Sequence, residues 1–438
     1  MEARMEIKRD AYLEKLTSSI GNGMVKIVTG PRRSGKSYLL FHLFEDYLRS
    51  QGVADNHIIE MKLDKKENAR YRDLDELENY FNSRRTRDGK TQFFLIDEIQ
   101  LVPAKENPWV KGQMLTFYDL LNQFLDYQDT EIFVTGSNSH LLSSDIATEF
   151  RGRGWQIPMH PLSFSEFLST KQDRSNPFAL WDEYWKYGGL PRTVLTDGDK
   201  AKADYLRDTY RITYLRDIID RYKLRNDERT VDALVKVLAS SIGSPVSFTK
   251  IANTFCSEMG CSIAPRTVER YLGYMEDAFL LERAQADSLK GRKVIGAPSK
   301  YYFDDLGIRF AASDFKGNDQ EPHYLENVVY NELVTRGYIV NTGRLTVNER
   351  DAGGKQDFRQ YEIDFVCERG GERVYIQSAL AIPGEEKMAQ EKRPLLLVRD
   401  SFRKVLISKY FSGEMFDNDG ILQIGLFDFL TKPELLSK

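Results

Sequence analysis

Cysteine is scarce in this sequence, with three residues in 438, so neither a disulfide framework nor a cysteine-based metal site is expected. No stretch is apolar for long enough to span a bilayer, and the charged N-terminus lacks the apolar core of a signal peptide. Hydrophobic residues make up 41% of the chain and charged residues 29%, which is typical of a soluble globular protein. These features predict a cytoplasmic protein of two to four domains without membrane association. The net charge of −4 excludes a wholly basic nucleic-acid binder but leaves local basic patches open.

The most informative motif is the glycine-rich segment at residues 30–37, Gly-Pro-Arg-Arg-Ser-Gly-Lys-Ser, which has the Walker A pattern. An apolar run predicted to be a strand precedes it, and Tyr38-Leu39-Leu40-Phe41, predicted to start a helix, follows it. In such a loop, backbone N–H groups and the positive end of the helix wrap a phosphate. A purely structural glycine turn is the alternative, but the strand, loop and helix order favours nucleotide binding. The expected nucleotide-binding residues are Gly30, Pro31, Arg32, Arg33, Ser34, Gly35, Lys36, Ser37 and Tyr38.

A second apolar run, Phe93-Phe94-Leu95-Ile96, ends in two carboxylates and has the Walker B pattern. The carboxyl end of a buried parallel strand is where open α/β sheets bind their ligands. We expect Asp97 and Ser37 to hold a magnesium ion, and Lys36 to reach the outer phosphates of ATP. Glu98 would orient and deprotonate the attacking water, whereas the alternative is a surface acid at a strand end.

Strand patterns alternate with helical ones along the first third of the chain. Strands are predicted near residues 24–30, 57–63, 92–96, 131–135 and 155–159, with helices at 71–81 and 113–127 between them. Such alternation predicts an α/β fold, a parallel sheet with helices on both faces. The expected domains are a P-loop ATPase core at 1–160, a helical lid or linker at 161–226, a winged-helix domain at 227–300 and an α/β domain at 301–438.

The winged-helix interpretation rests on three helical patterns and a predicted hairpin. The third helix starts at Ala264-Pro265 and carries Arg266, Thr267 and Arg270, and strands at 280–284 and 293–295 would form the wing. Such folds bind DNA or proteins, or merely pack domains together, so nucleic-acid contact stays open. An arginine-rich helix before this domain, near residues 200–225, is expected to present a salt-bridged face, with phosphate contact as the alternative.

Further motifs accompany the two described. They are Val134-Thr135-Gly136-Ser137-Asn138-Ser139, Arg151-Gly152-Arg153, Pro161-Leu162-Ser163-Phe164-Ser165-Glu166-Phe167, Gly188-Gly189-Leu190-Pro191, Tyr324-Leu325-Glu326-Asn327 and Glu362-Ile363-Asp364-Phe365-Val366. With these residues, nearly the whole chain resembles a family of prokaryotic, archaeal ATPase-like AAA+-type P-loop ATPases. In that family an ATPase core is joined to an uncharacterised C-terminal region, a winged helix followed by a PD-(D/E)xK restriction-endonuclease-like fold.

The resemblance implies roles that spacing alone does not. Ser137 or Asn138 would be a sensor of the γ-phosphate or of the attacking water, and the predicted catalytic set therefore includes Asn138. Arg151 or Arg153 would stabilise the transition state, acting within the chain or from a neighbouring subunit, and Arg153 is preferred.

The resemblance also implies a nuclease-like site, from which this sequence departs. Asp364 and Glu326 match two expected metal ligands, but Gln377-Ser378-Ala379 stands where an active site needs Glu-x-Lys. A degenerate nuclease fold is therefore expected.

The leading hypothesis is a Mg²⁺-dependent ATPase that couples its nucleotide state to the C-terminal domains, with DNA or RNA as a candidate client and homo-oligomers as a further expectation. An ATP-gated scaffold with little turnover is one alternative. An ATP-regulated, metal-dependent nuclease is another, which Asp364→Ala would inactivate.

Overall fold

The computed structural model describes residues 7–137, 150, 152–224, 227–260, 262–289, 297–316, 320–350 and 356–436. The chain divides into two compact units, Met1–Pro161 with Asp277–Phe279, and Leu162–Glu276 with Leu280–Lys438. Among the described residues, no helix has both the length and the apolar character needed to cross a bilayer.

The first unit is built on a parallel sheet of five strands in the order β2-β3-β6-β1-β7. Apolar runs form the central strands because these are covered on both faces. The strands are β1 (Val25–Thr29), β2 (Ile58–Lys62), β3 (Gln92–Asp97), β6 (Thr130–Gly136) and β7 (Gly154–Pro158). A small hairpin of β4 (Lys105–Glu106) and β5 (Met114–Leu115) lies outside this sheet. The predicted parallel-sheet core is confirmed.

Helices cover both faces of the sheet, and apolar clusters fill the space beneath them. The helices are α1 (Asp10–Ser18), α2 (Lys36–Tyr38, continued by the π-helical segment Leu39–Phe44 and by Glu45–Ser50), α3 (Leu74–Arg84) and α4 (Phe117–Leu125), and 3₁₀ turns lie at Asp55–His57, Lys66–Arg72 and Ile99–Leu101.

Two of these helices begin later than the sequence pattern predicts. Helix α3 starts after Asp73, whose side chain accepts hydrogen bonds from two backbone N–H groups of the first turn. Helix α4 starts after Thr116, which forms a capping box with Asp119. The residues before Thr116 pair as the β4–β5 hairpin, so the predicted helix at 113–127 was too long at its start.

The second unit opens with helices. They are α5 (Phe164–Ser169), α6 (Pro177–Tyr187), α7 (Pro191–Val194), α8 (Asp199–Asp208, continued by the π-helical segment Thr209–Leu215 and by Arg216–Arg221), α9 (Glu228–Ser240), α10 (Phe248–Met259), α11 (Pro265–Asp277), α12 (Leu306–Ala312), α13 (Glu321–Thr335), α14 (Glu385–Leu397) and α15 (Leu426–Thr431), and Pro433–Leu436 is a 3₁₀ turn. On α8, three arginines are paired with aspartates one turn away, which confirms the predicted salt-bridged face: Arg207–Asp204, Arg216–Asp220 and Arg221–Asp217.

Two sheets complete this unit. One pairs β8 (Leu281–Ala284) with β10 (Lys300–Phe303) in antiparallel fashion. The strand predicted at 280–284 is therefore present, and its partner strand is β10. The predicted wing strand at 293–295 lies outside the described residues. The other sheet has seven strands in the order β15-β16-β14-β13-β12-β11-β9. These are β9 (Ala286–Ser288), β11 (Ile339–Arg350), β12 (Gln356–Arg369), β13 (Glu372–Ala379), β14 (Arg403–Ser408), β15 (Glu414–Phe416) and β16 (Leu422–Gly425).

The Gly188-Gly189 motif packs against a buried carboxylate in this unit. Gly188 has φ +72°, and a Cβ there would lie 2.2 Å from Oδ1 of Asp305. The backbone N–H of Gly189 donates to Oδ2 of the same carboxylate at 2.8 Å. The two glycines therefore serve a close packing contact, which explains the motif without a catalytic role.

Candidate nucleotide-binding site

The glycine-rich loop at residues 30–37 connects the carboxyl end of β1 to the start of α2. Gly30 has φ +144°, and a Cβ there would lie 2.0 Å from the carbonyl oxygen of Met159, so only glycine fits. Gly35 has φ +101° immediately before the helix. Since α2 begins at Lys36, its first backbone N–H groups point out of the helix end at this loop. This is the strand, loop and helix geometry expected of a phosphate cradle.

The lysine of the motif is almost fully buried and curls back over the loop. Its Nζ donates to the carbonyl oxygens of Gly30 at 2.9 Å and Pro31 at 2.8 Å. The ammonium is therefore held at the loop, where it can bind phosphate oxygens. The Ser34 hydroxyl is buried and has no hydrogen-bond partner among the described residues. An orphaned hydroxyl inside the loop fits a site built for a polar ligand.

The strand order explains how the two Walker motifs meet. Strand β6 lies between β1 and β3, and all three are parallel, so their carboxyl ends share one edge of the sheet. Ser37 Oγ donates to Oδ1 of Asp97 at 3.0 Å, and the Thr135 hydroxyl at the end of β6 donates to the same oxygen. Burial raises the pKa of Asp97, and these two hydrogen bonds partly oppose the rise.

These oxygen atoms fit the magnesium ion that the Walker motifs predict. A serine hydroxyl and a buried carboxylate at hydrogen-bond distance offer only the oxygen ligands that Mg²⁺ prefers, beside a loop suited to phosphate. Ser37 and Asp97 would hold the ion.

Glu98 lies at the same edge in an unusual backbone conformation. Its φ is +53°, in the left-handed region that residues other than glycine seldom adopt and that often marks functional sites. Its backbone N–H donates to Thr135 Oγ1 at 3.1 Å. Its carboxylate oxygen Oε2 accepts hydrogen bonds from Ser137 Oγ at 3.0 Å and from the Gln100 amide. The backbone and side chain of Glu98 are thus held by the end of β6 and by the turn that follows β3.

The remaining predicted residues of this site are placed differently. Asn138 and Arg151 lie outside the described residues. Ser137, the residue before Asn138, donates a hydrogen bond to Glu98. Arg153 precedes β7 and pairs with Asp126 at 2.9 Å. Its carbonyl oxygen accepts from the N–H of Val25, at the amino end of β1. The phosphate loop follows the other end of β1, so Arg153 is not brought to the loop of its own chain.

Thr135 and Gln100 are functional candidates to which the sequence analysis assigned no role. Thr135 is the polar residue that directly follows the apolar run Ile132-Phe133-Val134 of β6, and that position next to the Walker B strand was the available signal. Gln100 was visible only as a polar residue two positions after Glu98, within the turn Ile99–Leu101.

The residues that match a nuclease site are also close together, in the second unit. Glu326 Oε1 accepts from Lys300 Nζ at 2.8 Å and from the Tyr302 hydroxyl at 2.6 Å. Asp364 Oδ2 accepts from the backbone N–H and the hydroxyl of Ser378, both at 2.9 Å. Burial raises the pKa of Asp364 to about 7, and the Glu326 carboxylate adds to the rise.

The ligands of this cluster do not fit a divalent metal ion. Lys300 pairs with both Glu326 and Glu362, so its buried ammonium already lies against these two carboxylates. Gln377 contributes a neutral amide, whose Oε1 accepts from the N–H of Asp364 at 3.4 Å, and Ala379 contributes no polar group. Lys300 was not predicted from the sequence, because it belongs to β10, which is distant in sequence from the nuclease-like motif.

Two family models match this chain in comparisons with known proteins. A family model described as AAA domain matches residues 22–168, and one described as a domain of unknown function matches residues 179–319. An uncharacterized protein of Haemophilus influenzae is 33% identical over 428 residues, covering 97% of this chain and 98% of that protein. An uncharacterized protein of Methanocaldococcus jannaschii is 29% identical over 374 residues, covering 82% of this chain and 74% of that one.

Among solved structures, a Walker-type ATPase of Pyrococcus abyssi matches 70% of this chain and 96% of its own, with 12% identity and a TM-score of 0.40. The sequence relationship to the Haemophilus influenzae protein is far stronger, since it extends over almost the whole of both chains. The chain therefore belongs to the family of that Haemophilus influenzae protein, with a P-loop ATPase domain of the AAA type in its first unit.

Proposed function

We propose that the protein binds Mg-ATP at the loop of residues 30–37 and hydrolyses it. The observation that carries this proposal is the contact between Ser37 and Asp97, 3.0 Å apart, with Lys36 held at the same loop. A serine, a lysine and an acid in this arrangement provide the contacts that a triphosphate and its metal require.

Glu98 is the base in the proposed reaction. The oxygen of a water molecule bonds to the γ-phosphorus as the bond between that phosphorus and the β–γ bridging oxygen breaks, and Glu98 accepts the proton of the water. Ser137 and Gln100 hold the carboxylate through Oε2, which orients it. Lys36 neutralises charge on the outer phosphates, and a bound magnesium ion would add Lewis-acid stabilisation. Asn138, directly after Ser137, is proposed to contact the γ-phosphate or the water.

Arg153 is proposed to act on the site of a neighbouring subunit. Arg153 lies beside Val25, the first residue of β1, and the phosphate loop follows the last residue of that strand. The five residues of β1 span about 16 Å at the usual rise of a strand. In its own chain this arginine is half-exposed at the opposite edge of the sheet. A homo-oligomer in which it faces the next nucleotide would give it the role of an arginine finger.

The C-terminal assignments are proposals as well. Helices α9, α10 and α11, with β8 and β10, would form the winged helix, and the seven-stranded sheet with α13 the degenerate nuclease-like domain. On α11, Arg266 and Arg270 are exposed and stand one helical turn apart. We propose that they contact the phosphates of DNA, and that the nucleotide state is coupled to this contact.

Phosphate release tests the activity and its client together. Wild-type protein is expected to release phosphate from ATP in Mg²⁺ buffer and to stop in excess EDTA, and duplex DNA is expected to stimulate release. The double variant Arg266→Ala with Arg270→Ala should show weaker stimulation and lower DNA affinity, because two phosphate contacts are lost. The slope of log DNA affinity against log salt concentration should become shallower by about two. Arg229→Ala, an exposed arginine on α9, is the matched control. Release without any DNA effect would reject the client but not the ATPase.

A further inference from the structure

Arg9 stands just before α1, and its side chain is directed into the protein. Only 3% of the residue is exposed. Its guanidinium donates to the carbonyl oxygen of Ser34 at 3.3 Å and to that of His160 at 2.7 Å. The same guanidinium lies 4.6 Å from the centre of the Tyr12 ring, and the Tyr12 hydroxyl accepts from the N–H of His160 at 3.1 Å. The side chain therefore links three segments: the chain before α1, the phosphate loop and the residues after β7.

The contact with Ser34 determines the direction of one peptide group in the loop. The Ser34–Gly35 peptide is trans, so its C=O and N–H point in opposite directions. Because Arg9 holds the C=O on its own side, the N–H of Gly35 points to the other side of the loop. Glycine at position 35, with φ +101°, leaves this peptide free to rotate unless something fixes it. The hydrogen bond from Arg9 to the Ser34 carbonyl restrains this rotation.

We propose that Arg9 is a positioning residue for nucleotide binding, which turns the N–H of Gly35 toward the triphosphate. The proposal rests on the proposed ATP site. Arg9 acts through the loop, and its planar fork suits the task because two separate nitrogen atoms reach two carbonyl groups. Replacing Arg9 should therefore lower the affinity for ATP, even though Arg9 acts only through the loop.

Arg9→Ala tests this when ATP affinity and thermal unfolding are measured on the same samples. A fluorescent ATP analogue with Mg²⁺ should bind about 10- to 100-fold more weakly, as expected when a charge-assisted hydrogen bond no longer fixes the loop. Millimolar guanidinium should restore part of the affinity by occupying the space that the side chain leaves. A residue needed only for folding would change the unfolding temperature without this rescue. Lys8→Ala, the exposed neighbour, is the control and should bind as the wild type does.

Arg9→Lys keeps the charge but cannot place two nitrogens on two carbonyls, so it should also bind ATP weakly. It provides the readout if Arg9→Ala does not fold. Wild-type affinity in the folded variants would overturn the proposal. Wild-type protein that binds no ATP would instead reject the proposed function, so the two failures are distinguishable.

Discussion

Replacing Glu98 with glutamine is expected to lower ATP turnover by about 10²–10⁴-fold, the usual contribution of a general base. ATP affinity should stay close to that of the wild type, because the loop, Lys36 and the Ser37–Asp97 contact are unchanged. Glutamine has nearly the same shape as glutamate and can still accept hydrogen bonds from Ser137 and Gln100. The loss would then reflect the missing proton acceptor and not a collapsed site.

The measurement is single-turnover hydrolysis beside ATP titration. Glu106→Gln, an exposed acid on β4, is the control and should hydrolyse ATP at the wild-type rate. The same pair of assays separates the ATPase from an ATP-gated scaffold. Wild-type protein that binds ATP tightly and barely turns it over, with no further loss in Glu98→Gln, would favour the scaffold.

Replacing Arg153 with alanine is expected to lower turnover by about 10³-fold, the lower end of what an arginine finger contributes. The effect depends on a partner subunit, since Arg153 and the loop lie at opposite edges of the sheet in one chain. Asp126→Asn, which removes the ion-pair partner and keeps the arginine, should retain activity. The assay is phosphate release at protein concentrations where the oligomer forms.

Mixing inactive variants tests the subunit that supplies the arginine. An Arg153→Ala subunit keeps its own Glu98, and a Glu98→Gln neighbour supplies an intact Arg153 to it. Random assortment in a head-to-tail oligomer would give about a quarter of the sites both groups, and activity should return accordingly. If the mixture stays as inactive as its components, Arg153 does not act across an interface.

Much of the first unit could be predicted because its signals are local. The apolar runs at 93–96 and 132–134 need cover on both faces, which fixes them as central strands. The glycine-rich loop carries its own backbone requirements at Gly30 and Gly35. Because both Walker motifs follow the carboxyl ends of strands predicted to be parallel, they are expected at one edge of the sheet.

Contacts between distant parts of the chain could not be predicted in this way. Arg9 meets carbonyl groups 25 and 151 positions away, and no spacing pattern signals such a contact. Lys300 reaches Glu326 from a strand outside the nuclease-like motif. The edge of the sheet occupied by Arg153 likewise followed only from the pairing of β7 with β1. These residues are set by tertiary packing, which a single sequence does not encode in any local pattern.

Calorimetric titration of Mg-ATP into wild-type protein and Lys36→Ala tests the central claim most directly. The wild type should bind one ATP per chain, and the variant should lose at least about 100-fold in affinity, because the ammonium proposed to bind the outer phosphates is gone. Lys66→Ala, an exposed lysine of the same unit, should bind as the wild type does. Equal affinity in wild-type protein and Lys36→Ala would contradict the account, since ATP would then not be held by the loop of residues 30–37.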